Sequence, residues 1–195
     1  GEVDKALSEF SELYKAHPKD SSVGRSYAEL LLNRRKLDDA SKVINDLLSR
    51  NKKDPEALIL QGRMQIVQGK PKDAINTLQA ALKTEADSPA GHFYLGIAYN
   101  VTGDPARAEA EWREAARLRP DFLDAQRALG EVAVRKGDAE LLSQSAEQVI
   151  RLRPFEPNGY IMRASAEIAR KENDKAEADL QKAITAAGAG GLDGY

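Results

Sequence analysis

The sequence of 195 residues contains no cysteine, only two histidines, and 6% aromatic residues. Without cysteine there is no disulfide framework, no thiolate zinc site and no cysteine nucleophile, although a cytoplasmic and a periplasmic location both stay open. Neither His17 nor His92 has a second histidine three or four residues away, which is the spacing of a metal site on one helix. The sequence therefore predicts no metal site.

The chain also lacks an excess of charge of either sign. Its 29 Lys and Arg residues are balanced by 31 Asp and Glu residues, and the formal net charge is −2. Nucleic acids and anionic membrane surfaces attract clustered positive charge, so we expect neither as a partner. No apolar run approaches the roughly 18 residues that cross a bilayer, and residues 1–20 lack the pattern of a signal peptide. We therefore expect a soluble chain without membrane insertion.

Motifs for catalysis are missing as well. Ser143 and Ser145 do not lie in a G-x-S-x-G turn, the element that presents the nucleophile of many hydrolases. The terminal stretch "GAGGLDGY" has no strand before it and no helix after it, unlike a glycine loop that binds phosphate. We therefore expect no catalytic residue, no enzymatic activity and no cofactor.

What the sequence does contain is a period of 34 residues. A small residue recurs at this step, at Ala28, Gly62, Gly96, Gly130 and Ala164. Seven residues after the three glycines stand Gly69, Gly103 and Gly137, each after an apolar-rich stretch of helical length. Glycine at such a place indicates a helix that ends in left-handed backbone. Pro71 and Pro105 follow two residues later and suit the first turn of the next helix.

Each unit is thus predicted to hold a helix A, a tight turn, a helix B and a short loop, with no strand. A single helical hairpin cannot bury both of its faces, so the units must stack to form a continuous core. Glycine inside a helix costs about 1 kcal/mol relative to alanine, which indicates close helix packing at the small position. The sequence therefore predicts an all-α array of stacked antiparallel helix pairs.

The unit 89–122 carries the most specific pattern, formed by Leu95, Gly96, Tyr99, Gly103, Ala108, Trp112, Ala115 and Pro120. In these residues the chain resembles the tetratricopeptide repeat (TPR) family. Units 55–88 and 123–156 match well, whereas the first and last full units match more loosely and have Arg35 and Lys171 at the turn glycine. The resemblance covers nearly the whole chain and implies a right-handed α-solenoid, a TPR-like superhelix.

The resemblance also implies the division of the chain. Residues 1–20 correspond to helix B of a truncated N-terminal repeat, and residues 189–195 form a flexible tail. The full repeats 1 to 5 are then residues 21–54, 55–88, 89–122, 123–156 and 157–188. Because the first helix A is missing, we expect the sequence to come from a longer array.

In this family the A helices line a concave groove, and positions 2, 5, 9 and 12 of each repeat face into it. The stretch "GHFYLGIAYNVTGD" of repeat 3 has more apolar residues than a helix with one buried face requires. A helix that is apolar all round is typically buried or in contact with another molecule. The resemblance therefore implies a peptide-binding groove whose candidate residues are Ile59, Arg63, Ile66, Phe93, Ile97, Asn100, Arg127 and Val134. Packing of Phe93 against Ile59 and Ile66 is the alternative, in which the stripe merely lines a narrow groove.

The leading functional hypothesis is a scaffold that binds a peptide segment of a protein partner in this apolar-centred groove. The ligand would carry aliphatic or aromatic side chains, with an acidic group for Arg63 or Arg127 as an option. Neither the Lys and Asn pattern of a carboxylate clamp nor an asparagine ladder is present at the corresponding positions. The alternative is a structural spacer, or a segment that associates with itself through uncapped ends of the array.

Overall fold

The computed structural model describes residues 2–189, and every regular element within that range is an α-helix. The helices are α1 (Glu2–Ala16), α2 (Ser21–Asn33), α3 (Leu37–Arg50), α4 (Pro55–Val67), α5 (Pro71–Thr84), α6 (Pro89–Val101), α7 (Pro105–Leu118), α8 (Leu123–Lys136), α9 (Ala139–Leu152), α10 (Pro157–Ala169) and α11 (Asn173–Ala189). The predicted fold class, all-α with stacked helix pairs, is confirmed. The predicted tail lies outside the described residues, apart from Ala189 at the end of α11.

The A helices are α2, α4, α6, α8 and α10, and local chemistry fixes where several of them begin. Asp20 precedes α2, and its side chain accepts hydrogen bonds from the backbone N–H groups of Ser22 and Val23. Asp54 and Ser88 play the same part before α4 and α6. A cap of this kind satisfies N–H groups that have no partner within the helix.

The turns from helix A to helix B contain one residue with left-handed backbone. Gly69, Gly103 and Gly137 have φ of 73°, 82° and 67°, which confirms the predicted glycine helix ends. Arg35 and Lys171 occupy the same place in their units and adopt φ of 54° and 62°. The turn geometry is therefore kept even where a side chain makes it unfavourable.

Replacing Lys171 with glycine is expected to raise the free energy of unfolding by about 0.5–1 kcal/mol. A side chain in left-handed backbone costs about 1–2 kcal/mol, part of which is offset by the extra freedom of glycine in the unfolded chain. Denaturant unfolding followed by circular dichroism measures the change. Lys53→Gly removes the same charge from an exposed loop without positive φ, and a gain in both variants would contradict the explanation.

The chain divides into two compact units, residues 1–104 and 105–195, with the boundary in the turn between α6 and α7. In the first unit, α2 packs on α3 and α4 packs on α5, and α4 also contacts both α2 and α6. Buried side chains of α2, α3 and α4, among them Leu31, Ile44 and Leu60, form its core. In the second unit, each helix from α7 to α11 contacts the next one along the chain.

The small residue of helix A lies where helices approach most closely. A Cβ atom on Gly62 would lie 2.5 Å from Cγ of Leu78, a residue of α5 whose side chain is completely buried. Ala28 and Ala164, at the equivalent positions, are 0% and 1% exposed. The close packing predicted from the period of 34 residues is therefore present in both units.

Candidate functional site

Three A helices of the first unit lie side by side, because α4 contacts α2 on one side and α6 on the other. Residues 34 apart in sequence therefore occupy equivalent places on neighbouring helices. Positions 2, 5 and 9 of the three repeats consequently share one surface. In the first unit, this is the surface on which the sequence predicts the groove.

A cavity of about 360 Å³ opens on this surface, and we call it the A-helix pocket. It is lined by Ser22, Arg25, Ser26, Glu29, Glu56, Ile59, Leu60, Arg63, Glu85, Ser88, Ala90 and Tyr94. All of these residues lie on α2, α4 and α6 or on the loop before α6. The volume is large enough for one or two side chains of a ligand.

The floor of the A-helix pocket is apolar. Ile59 and Leu60 are 7% and 9% exposed, so they form its base without projecting from it. The guanidinium carbon of Arg63 lies 5.4 Å from the centre of the Tyr94 ring, within the range of a cation–π contact. Arg63 Nη2 also donates a hydrogen bond to Asn33 Oδ1 at 2.5 Å, which fixes the guanidinium against α2.

Arg25 is held by two carboxylates at the start of the next A helix, α4. Its Nη1 donates to Asp54 Oδ2 at 3.1 Å, and its Nε lies 2.5 Å from Glu56 Oε2. Asp54 is 6% exposed and also caps α4 by accepting a hydrogen bond from the backbone N–H of Ala57. Arg25 therefore joins α2 to the start of α4.

The second unit repeats this arrangement. Arg127 Nη2 donates to Glu156 Oε2 at 2.6 Å, and Glu156 stands at the N-cap of α10. The separation of 29 residues is the same as between Arg25 and Asp54. Sequence reasoning missed these pairs, although an arginine at position 5 followed by an acid 29 residues later is a readable signal.

The predicted groove residues are divided between the two units. Ile59 and Arg63 line the A-helix pocket, whereas Ile66, Phe93 and Ile97 are half-buried elsewhere on α4 and α6. Asn100 is exposed near the end of α6. In the second unit, Arg127 is paired with Glu156, and Val134 is 62% exposed on α8.

The sequence led us to expect Ile59 as part of an exposed apolar stripe, and the structure places it differently. With only 7% of its surface exposed, Ile59 belongs mainly to the packed interior of α4. The reason is that α4 has an A helix on each side and α5 behind it, so little of its surface is left for solvent. Periodicity within one helix cannot distinguish such a residue from a groove residue.

A cluster of charged side chains joins α10 to α11 in the second unit. Arg163 donates hydrogen bonds from Nε and Nη2 to the two carboxylate oxygens of Asp179, which is 2% exposed. Arg163, together with Lys182, holds the pKa of the Asp179 carboxyl below its ordinary value. Burial and the nearby Asp179 charge raise the pKa of Glu167, whose Oε2 has no hydrogen-bond partner.

Larger cavities also occur in the second unit, including one of about 640 Å³ between α7 and α9. It lies mainly between B helices, away from the A-helix face on which the groove was predicted. Its arginines Arg113 and Arg117 are paired with glutamates of their own helix, Glu109 and Glu114. We therefore take the smaller A-helix pocket as the candidate site.

Neither a metal site nor a membrane span occurs within residues 2–189. No group of three His, Cys, Asp or Glu residues in this range is arranged to hold a metal ion. Among the helices that the structure describes, none combines the length and apolar character needed to span a membrane.

Two family models of the tetratricopeptide repeat match the chain. One model of this repeat matches residues 1–64, and a second matches residues 60–112 and 101–141. A similar sequence is the "TPR repeat-containing protein YpiA" of Bacillus subtilis (strain 168), which is 29% identical over 147 residues, or 75% of this chain. The chain spans about a third of that relative's length.

Solved structures of similar fold include TPR proteins. The crystal structure of MamA superposes with a TM-score of 0.72 at 21% identity, covering 85% of this chain and 96% of that one. A thermophilic TPR protein of Thermus thermophilus, TTC0263, gives a TM-score of 0.73 at 19% identity, with 85% and 91% covered. YrrB, described as "a TPR protein with an unusual peptide-binding site", gives 0.63 at 22% identity, with 91% of each chain covered.

Proteins of this repeat fold are in general scaffolds for protein interactions and are typically not catalysts. The sequence matches, the stacked helix pairs and the similar solved structures agree with one another. This chain belongs to the tetratricopeptide repeat family.

Proposed function

We propose that this chain is a protein-interaction module, without catalytic activity of its own, that binds a peptide segment of a partner in the A-helix pocket. The observation that carries the proposal is the pocket itself, about 360 Å³ with lining residues from three successive A helices. Its apolar floor and aromatic wall are suited to a side chain from a partner, with polar groups around the rim to orient it. The peptide-binding site described for YrrB, a protein of the same fold, is consistent with such a role.

We further propose that the peptide continues along the same face of α4 and α6. Ile66, Phe93 and Ile97 are half-buried there and keep part of their apolar surface accessible, and Asn100 adds an exposed amide. Val134 on α8 is the corresponding candidate in the second unit. Arg127 is paired with Glu156, so only the part of its side chain that stays exposed beside this pair is a candidate for contact with the peptide.

Blocking the A-helix pocket should strongly weaken peptide binding without unfolding the chain. Ser26 lines the pocket and is exposed, so the ring in Ser26→Trp is expected to occupy the space that a ligand side chain would take. Peptides selected from a displayed random library on the wild-type chain should bind this variant about tenfold or more weakly, as expected when a central contact is lost. Fluorescence anisotropy with the labelled peptides measures the affinity.

The matched control is Ser49→Trp, which adds the same side chain at an exposed position of the B helix α3. Circular dichroism should show unchanged helicity for both variants. If peptides bind Ser26→Trp as tightly as they bind the wild type, the A-helix pocket is not the site. Ile59 is unsuitable for this test because its truncation would remove core volume.

A second candidate function is self-association or a spacer role, and exposed apolar residues of the last helix pair favour it. Ile168 and Ile184 are 55% and 65% exposed, and Ile161 and Leu180 are 45% and 41% exposed. Apolar surface of this kind is typical of contacts with another helix. Static light scattering over a range of concentrations tests self-association. A chain that stays monomeric at every concentration does not associate through α11.

A further inference from the structure

The charges around the A-helix pocket indicate which charge on a ligand side chain it prefers. This inference rests on the proposed function. The lining residues include two arginines, Arg25 and Arg63, and three glutamates, Glu29, Glu56 and Glu85. Asp54, bound to Arg25, adds a fourth carboxylate beside the pocket. Four negative charges and two positive charges leave a local charge of −2.

The two positive charges are already engaged within the chain. Arg25 lies between Asp54 and Glu56, at 3.1 Å and 2.5 Å, so two carboxylates neutralise one guanidinium. Arg63 is fixed by its hydrogen bond to Asn33 and by the ring of Tyr94. A ligand carboxylate would have to displace these partners in order to bind either arginine closely. These contacts therefore disfavour a ligand with an acidic group, which the sequence had suggested as an option.

The negative charges include two that have no such partner. Glu29 and Glu85 are exposed, and neither forms an ion pair with any residue in the described part of the chain. Glu29 stands on α2, and Glu85 stands at the end of α5, before α6 begins. Both line the same cavity, whose floor is the buried pair Ile59 and Leu60.

A long basic side chain is complementary to this combination. Lysine and arginine lay an apolar stem along apolar surface while the charged end reaches polar groups. In the A-helix pocket the stem would contact Ile59, Leu60 and the Tyr94 wall, and the cation would lie near Glu29 or Glu85. Complementary charge of this kind determines which partner is accepted.

We propose that the A-helix pocket binds a lysine or arginine side chain of a peptide partner, selected by the carboxylates of Glu29 and Glu85. The pocket thereby discriminates against acidic peptides and takes basic ones. Salt weakens the interaction because both carboxylates are exposed to solvent.

The test uses peptides selected from the displayed random library on the wild-type chain. These peptides should be enriched in Lys or Arg at one position, and replacing that residue with norleucine should weaken binding about tenfold, equivalent to about 1.4 kcal/mol. The double variant Glu29→Gln/Glu85→Gln keeps the shape of both side chains and removes their charges. It should bind the basic peptide about tenfold more weakly than the wild type does. For the norleucine peptide, the variant and the wild type should have the same affinity.

The control double variant, Glu9→Gln/Glu177→Gln, changes the net charge equally at exposed positions that do not line the pocket. It should bind the basic peptide like the wild type. Enrichment of Asp or Glu in the selected peptides, or an unchanged preference for the basic residue in Glu29→Gln/Glu85→Gln, would overturn this inference. If Ser26→Trp still blocks those peptides, the proposed function survives. If Ser26→Trp blocks none of them, or no peptide is selected, both proposals are overturned.

Discussion

Replacing Gly62 with alanine is expected to lower the free energy of unfolding by about 1–3 kcal/mol, although alanine is the better helix former. The new methyl group would lie 2.5 Å from Cγ and 2.8 Å from Cδ2 of Leu78. Leu78 is completely buried, so its side chain can yield only by displacing the side chains packed around it. The overlap between α4 and α5 therefore outweighs the gain of about 1 kcal/mol in helix propensity.

Gly130 provides the matched control, because it occupies the equivalent position in α8. A Cβ atom there would meet Cε of Met162, the end of a flexible side chain that is only half-buried. Methionine adjusts more readily than leucine, so Gly130→Ala should leave stability unchanged or raise it by up to about 1 kcal/mol. Urea unfolding followed by circular dichroism measures both variants. Equal effects of the two substitutions would contradict the packing that the structure assigns to α4 and α5.

Replacing Asp179 with asparagine is expected to lower the free energy of unfolding by about 2–3 kcal/mol at neutral pH. Asp179 is 2% exposed and accepts two hydrogen bonds from Arg163 and one, at 2.9 Å, from Nζ of Lys182. Asparagine keeps the shape and removes the charge, which leaves the guanidinium without its counter-ion between α10 and α11. Asp39→Asn is the control, since Asp39 is exposed and pairs with Lys42 of the same helix, and it should leave stability nearly unchanged.

The effect of Asp179→Asn should depend on pH in a defined direction. Because the folded chain holds the pKa of Asp179 below the unfolded value of about 3.9, this residue stabilises the fold above that value and loses its contribution as pH falls through the folded pKa. The difference between wild type and variant should therefore be full at pH 7 and shrink below about pH 4. Glu167, whose pKa is raised by burial and by the nearby Asp179 charge, acts in the opposite direction, and this opposing effect is smaller in the variant because the Asp179 charge is gone. A constant difference from pH 7 to pH 3 would show that the Asp179 charge is not responsible.

The helices and turns were largely predictable because their signals are local and recur. Glycine at 69, 103 and 137, together with Pro71 and Pro105 at the starts of α5 and α7, marks the turns without reference to the rest of the fold. Even Arg35 and Lys171 were placed correctly, because the period of 34 residues assigns them to the turn although their chemistry does not favour left-handed backbone. Repetition supplied information that one unit alone lacks.

The site was less predictable because it depends on how helices from different repeats surround a residue. Ile59 has the same apolar character and spacing as a groove residue, and only the helices on either side of α4 explain why it is buried. The acids that engage Arg25 and Arg127 lie 29 residues away, at the end of the same repeat and directly before the next A helix. Sequence reasoning within single helices did not separate free from paired charges, although the spacing of 29 residues is visible in the sequence, and the preference of the A-helix pocket depends on that distinction.

The role of α2, α4 and α6 as a peptide-binding face is tested most directly by amide chemical-shift mapping of the labelled chain with a selected peptide. The largest chemical-shift changes are predicted at residues that line the A-helix pocket, including Ser26, Leu60 and Tyr94. These changes should saturate as peptide is added, with the same dissociation constant that anisotropy gives. Saturable changes confined to the B helices, or to α11, would place the peptide elsewhere and contradict this role.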